Sequence, residues 1–124
     1  MGRFVVYKTD TGYLFHLKAG NGETIGTSKM YTTLAACRTG VAGVRENAPL
    51  AALHDLTVAA EQGMENPKFE VYKDEAGQFR FRLKTAAGEV VLASEGYTAK
   101  ASCEHGISSV RRNAANATLI EPAR

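Results

Sequence analysis

The chain has no tryptophan, three prolines and only two cysteines. Two cysteines cannot staple a small disulfide scaffold. Neither Cys37 nor Cys103 has a second Cys or a His at metal-ligand spacing, so no metal site is expected. His105 lies two residues from Cys103, about 200° away around a helix. No apolar run is long enough to cross a membrane. The opening stretch Met1–Lys8 is too short and too soon charged for a secretory signal, so the expected location is cytoplasmic. A strong charge of one sign is missing too. Fifteen Lys and Arg against thirteen Asp and Glu leave a net charge of +2, too small by itself to imply a nucleic-acid or membrane partner. The charge is unevenly placed: residues 1–48 sum to +3, residues 49–66 to −3 through Asp55, Glu61 and Glu65, and residues 67–124 to +2.

What the chain does have is an internal repeat. Phe4, Val6, Tyr7, Lys8 and Gly12 recur as Phe69, Val71, Tyr72, Lys73 and Gly77, at an offset of 65. The first copy then lacks one residue, and the offset becomes 66. Phe15, Leu17 and Lys18 fall on Phe81, Leu83 and Lys84. Ser28, Tyr31, Cys37, Gly40, Val44, Arg45, Asn47 and Ala48 find their counterparts in the same way. The whole chain, 1–124, reads as a single domain of two repeats, 3–58 and 67–121, with a linker at 59–66.

The second copy shows the local structure most clearly. Phe79, Phe81 and Leu83 alternate with Arg80, Arg82 and Lys84, the signature of a strand with one apolar and one charged face. Cys103, Ile107, Val110 and Ala114 are spaced four, three and four apart and form one helical stripe, with Thr98 as the expected N-cap. Tyr31 and Tyr97 precede the helices and are placed to fold back on the first turn. Leu53–Val58 and Thr118–Ile120 read as a last strand after each helix. A unit of about 45 residues buries too little surface to stand alone, so the two copies are expected to share a core. The fold class is α+β: tandem β-β-β-α-β units forming one antiparallel sheet with two helices on one face.

The segments Phe69–Asp74, Gly77–Lys84, Gly88-Glu89, Ala93–Tyr97 and Gly106–Arg111 together resemble the bacterial YegP-like family. The similarity covers nearly the whole chain and both copies. It implies tandem β(3)-α-β motifs in a single sheet with the last strands exchanged between copies, an arrangement that single-repeat members reach as homodimers. It brings no catalytic residues to carry over. The first copy departs from the pattern at Lys29 and Met30, where the second has Glu95 and Gly96.

Catalytic constellations are absent. His16, His54 and His105 are not repeated: Arg82 stands opposite His16, and Thr39 opposite His105. No Ser/His/Asp or Cys/His grouping can be assembled, so no enzyme and no cofactor are expected. The Gly-rich turns Ala19–Gly22 and Ala86–Gly88 lack a Lys-Ser/Thr ending and read as hairpin turns. The informative surface is the sheet face away from the helices. By strand parity it carries Tyr7, His16 and Lys18 from the first copy and Tyr72, Arg80, Arg82 and Lys84 from the second, diluted by Glu70. Val90 and Leu92 lie opposite Val91 and are expected there too. The reading is a small non-catalytic binding or assembly module with a protein partner or weak self-association. Binding of single-stranded RNA or DNA by stacking and charge is the alternative; no membrane or metal is implied.

Overall fold

The computed structural model describes residues 2–58 and 65–122. Most of the expected linker, 59–64, lies outside them. The element order is β1 (Arg3–Lys8), β2 (Tyr13–Lys18), β3 (Thr24–Thr27), α1 (Leu34–Asn47), β4 (Ala52–Asp55), β5 (Lys68–Lys73), β6 (Phe79–Lys84), β7 (Val90–Ala93), α2 (Lys100–Ala114) and β8 (Thr118–Ile120). Among the described residues no helix is long and apolar enough to cross a membrane.

All eight strands join one sheet in the order β4-β5-β6-β7-β3-β2-β1-β8. Each copy contributes an antiparallel meander, and the meanders meet where Thr27 pairs with Ala93. The last strands are exchanged: β4 of the first copy runs parallel to β5, and β8 of the second runs parallel to β1. The sheet is therefore mixed rather than wholly antiparallel. The reason is topological. A strand that leaves a helix and crosses to the other copy arrives in the same direction as the strand it joins.

Phe4, Val6, Phe15, Leu17, Phe69, Val71, Phe81 and Leu83 share one face and form a single core with Cys37, Val41 and Val44 of α1 and Cys103, Ile107 and Val110 of α2. Each helix packs across the repeat boundary: α1 touches β2 and β7, and α2 touches β6, β5 and β3. The phenylalanines pack edge to face in matched pairs, Phe4 on Phe15 at 5.8 Å and Phe69 on Phe81 at 6.1 Å. The last-turn arginines close the ends of this core. Arg45 lies 5.0 Å from the Phe4 ring and donates to the Ala115 carbonyl; Arg111 lies 5.1 Å from Phe69 and donates to the Ala51 carbonyl. Each thus ties its own helix to the other copy.

Local rules hold with three exceptions. Thr33 caps α1 by accepting from the Ala36 amide at 3.0 Å, but α2 starts one residue later than expected, and its cap position falls on Ala99, which has no side chain to accept. Val90 is exposed on the outer face, yet Leu92 is fully buried. A register shift between Leu83 and Lys84 inserts one residue in β7, so both Val91 and Leu92 turn toward the helices. The same shift between Leu17 and Lys18 turns Ile25 and Gly26 inward in the first copy. There a Cβ on Gly26 would lie 2.7 Å from Leu92 Cγ, so one leucine fills the space where the copies meet. Finally, Tyr31 and Tyr97 pair with the ends of β2 and β6 and carry their hydroxyls past the first turn to the middle of each helix. A Cβ on Gly40 or Gly106 would stand 2.3 or 2.7 Å from those oxygens, which explains why both positions are glycine.

Candidate functional site

The sheet face opposite the helices carries a continuous row of paired side chains: His54, Glu70, Arg82, Ala93, Thr27, His16, Val5 and Ile120. Repeat symmetry passes between Ala93 and Thr27. It equates Glu70 with Val5, Arg82 with His16 and His54 with Ile120. All seven residues expected on this face belong to it: Arg80, Arg82 and Lys84 on β6, Tyr72 on β5, Tyr7 on β1, and His16 and Lys18 on β2. They do not form one patch. They divide into two halves of different chemistry.

In the second-copy half the cations are gathered around one carboxylate. Glu70 is only 4% exposed. Its oxygens lie 2.6 Å from Arg82 Nε, 3.2 Å from Lys68 Nζ and 3.4 Å from Lys84 Nζ. Burial pushes the Glu70 pKa up, but hydrogen bonds from Arg82 and Lys68 and the charges of Arg82 and Lys84 outweigh it and hold the group at about 2. Arg82 also stacks on Tyr72, 4.5 Å from the ring centroid. Lys68 Nζ sits 3.3 Å from His54 Nδ1. Arg80 is held apart from this group by Asp74, whose Oδ2 accepts from its Nε at 2.6 Å.

The first-copy half has no such centre. Val5 takes the place of Glu70, and His16 that of Arg82. The His16 ring lies 4.9 Å from Tyr7, and Lys18 Nζ lies 5.7 Å from the same ring. Burial, then the charge of Lys18, lowers the His16 pKa against the pull of Glu95. Tyr7, paired with Leu14, is 37% exposed, and Ile120, paired with Val5, is 41% exposed. Among the described residues no carboxylate forms an ion pair with Arg3 or Lys18. This half is an apolar strip with uncompensated cations beside it.

The repeat also builds two grooves on the helix side that were not anticipated. One, of about 700 Å³, lies between α1 and the β6–β7 turn; the other, of about 370 Å³, lies between α2 and the β2–β3 turn. Each is walled by the helix of one copy and the hairpin of the other, with Tyr31 or Tyr97 among its lining residues. The available signal was the charge reversal at matched helix positions, Glu46 against Arg112. It could be read from the repeat, but not its neighbours across the copy boundary. Among the described residues no group of three or more His, Cys, Asp or Glu side chains could hold a metal.

The model of a domain of unknown function, DUF1508, matches this sequence twice, over residues 9–55 and 74–121. The chain belongs to that family. The UPF0339 protein YegP of Escherichia coli O157:H7 is 35% identical over 111 residues, covering 90% of this chain and 87% of the relative. A UPF0339 protein of Agrobacterium fabrum is 52% identical over 54 residues; the match covers 44% of this chain but 87% of that relative, which therefore has about the length of one repeat. The solution NMR structure of E. coli yegP, a protein of unknown function, superposes with a TM-score of 0.78 over 97% of this chain and 91% of its own, at 35% identity. That of a UPF0339 protein from Shewanella oneidensis gives 0.79 at 26% identity, covering 97% and 90%. The resemblance to the YegP-like family is thus borne out, along with the α+β fold of two repeats.

Proposed function

We propose that this protein is a non-catalytic binding module whose contact surface is the first-copy half of the open sheet face, and that its partner is a protein presenting an apolar segment flanked by acidic side chains. One observation carries the reading. Where the second copy buries a carboxylate among its cations, the first has Val5, so its apolar side chains and its cations both remain available. An exposed aromatic beside aliphatic side chains, bordered by charge, is the usual anatomy of a binding surface. Tyr7 and Ile120 are the anchors; Arg3 and Lys18 supply the charge complement.

Single-stranded nucleic acid is the second reading, favoured by the Tyr7–His16 pair with Lys18 beside it. Against it stands the distribution of the stacking groups. Tyr72, the other platform, lies on β5, five strands away in the sheet, with Arg82 over its ring. The test is affinity capture from cell lysate, with and without nuclease, by wild type, Tyr7→Ala/Ile120→Glu and Arg82→Ala. A protein retained after nuclease, lost with the Tyr7/Ile120 pair and kept with Arg82→Ala supports the first reading. Capture that disappears with nuclease transfers support to nucleic acid, and capture indifferent to the Tyr7/Ile120 pair removes both.

A further inference from the structure

The cluster around Glu70 gathers three cations, Lys68, Arg82 and Lys84, on one buried carboxylate. The cations are not equivalent. Lys68 lies on the inner side, its side chain 12% exposed, between Glu70 and His54. Arg82 and Lys84 face outward, their side chains 32% and 27% exposed. Arg82 spends its Nε on Glu70 and the face of its guanidinium on Tyr72, and its two Nη groups have no acceptor among the described residues. Among the described residues the one ion pair of Lys84 Nζ is with Glu70 Oε1, at 3.4 Å. The carboxylate that fixes both is itself 5% exposed, so solvent meets the N–H groups and not the negative charge.

We propose that Arg82 and Lys84 form a binding site for a small oxyanion, inorganic phosphate or a phosphate monoester, with Glu70 as the internal counter-ion that holds them in place. Three physical features support it. A planar guanidinium with its Nη pair free is suited to two-point contact with phosphate, and an ammonium beside it adds a point charge. Stacking on Tyr72 and bonding to Glu70 have already restricted the Arg82 side chain, so less rotamer freedom is lost on binding. An incoming anion also relieves the mutual repulsion of Arg82 and Lys84. The first copy is the internal control. Arg3 and Lys18 hold the positions of Lys68 and Lys84, but Val5 and His16 supply neither the carboxylate nor the guanidinium. The site lies on the other half of the face from the proposed protein contact, so either can fail without the other.

The experiment is a titration of the ¹⁵N-labelled full chain with sodium phosphate at constant ionic strength maintained with sodium chloride, read by NMR at the Arg82 Nε–Hε and the Lys84 amide. Glycerol 3-phosphate replaces inorganic phosphate in a parallel series. Saturable shifts at both positions, absent at Lys18, are the expected result. Tighter binding of glycerol 3-phosphate would identify an organic phosphate as the ligand class, and equal or weaker binding would identify the free ion. Lys84→Met leaves Glu70 its two nearer cations and is expected to keep the fold, while weakening binding about tenfold, the worth of one charge-assisted hydrogen bond. Lys84→Arg should restore it. Shifts that rise linearly without saturating, shifts equally large at Lys18, or a titration unchanged in Lys84→Met would overturn the proposal.

Discussion

The two halves of the open face share a backbone and a register, but they differ at matched positions: Glu70 against Val5, Arg82 against His16 and His54 against Ile120. At Glu70 the second copy places a carboxylate, and the local cations fold inward onto it. At Val5 the first copy places an aliphatic side chain, and the equivalent cations have no such centre. The lesson is that a basic sheet face is not defined by counting arginines and lysines. What decides its chemistry is whether an acid sits within reach on the adjacent strand.

The largest test of that difference is removal of the centre. Glu70→Ala leaves three cations crowded together, one of them largely buried, and is expected to cost about 3 kcal/mol. Val5→Ala at the matched site is expected to cost about 1 kcal/mol. Urea unfolding of both variants measures the contrast, and equal losses would abolish it. The same centre sets an acid response. Glu70 titrates near 4.5 when unfolded and at about 2 when folded, so its contribution is complete above the first value and is lost as pH falls toward the second. The stability gap between wild type and Glu70→Gln should therefore shrink from pH 4.5 downward; a gap constant to pH 2.5 would refute the role given to the cluster.

A smaller contrast lies at the helix starts. Thr33→Ala should destabilise by about 1 kcal/mol, while Ala99→Ser should stabilise by about the same amount, because only the first copy has a side-chain cap to lose. Thermal melts of the two variants should move in opposite directions. The cysteines should behave alike. Burial raises the pKa of both thiols, that of Cys103 to about 11, so both remain protonated at neutral pH and should label with a thiol reagent only as fast as the chain opens. Rapid labelling of either would break the equivalence. The smallest expected effect is at Arg38, whose guanidinium pairs with Glu121 on the exchanged C-terminal arm. Arg38→Ala should leave the thermal melt almost unmoved, since the pair is solvent-exposed.

Much of this architecture was legible in the sequence. The repeat gave the element order, the alternation of Phe79, Phe81 and Leu83 with Arg80, Arg82 and Lys84 gave the two faces, and the stripe from Cys103 to Ala114 gave the buried side of α2. Parity then placed all seven face residues. It failed at Leu92 because a bulge adds one residue to a strand without any mark in its hydrophobic pattern. The parallel outer strands were hidden because direction depends on which copy a strand joins. Glu70 was visible only as a diluting charge. Its significance depends on Lys68, Arg82 and Lys84 approaching it across strand pairs, and spacing along the chain does not encode those distances. The grooves were hidden for the same reason, since each needs walls from both copies.

The meeting of Gly26 and Leu92 has a consequence for how the halves recognise each other. These matched positions face one another at the seam, and the space there holds one leucine. Two second repeats brought together would set leucine against leucine, and two first repeats would leave a hole. Each half thus specifies the other and disfavours itself. The chain is a pair of non-identical partners written in tandem, with self-avoidance built into a single residue at their junction.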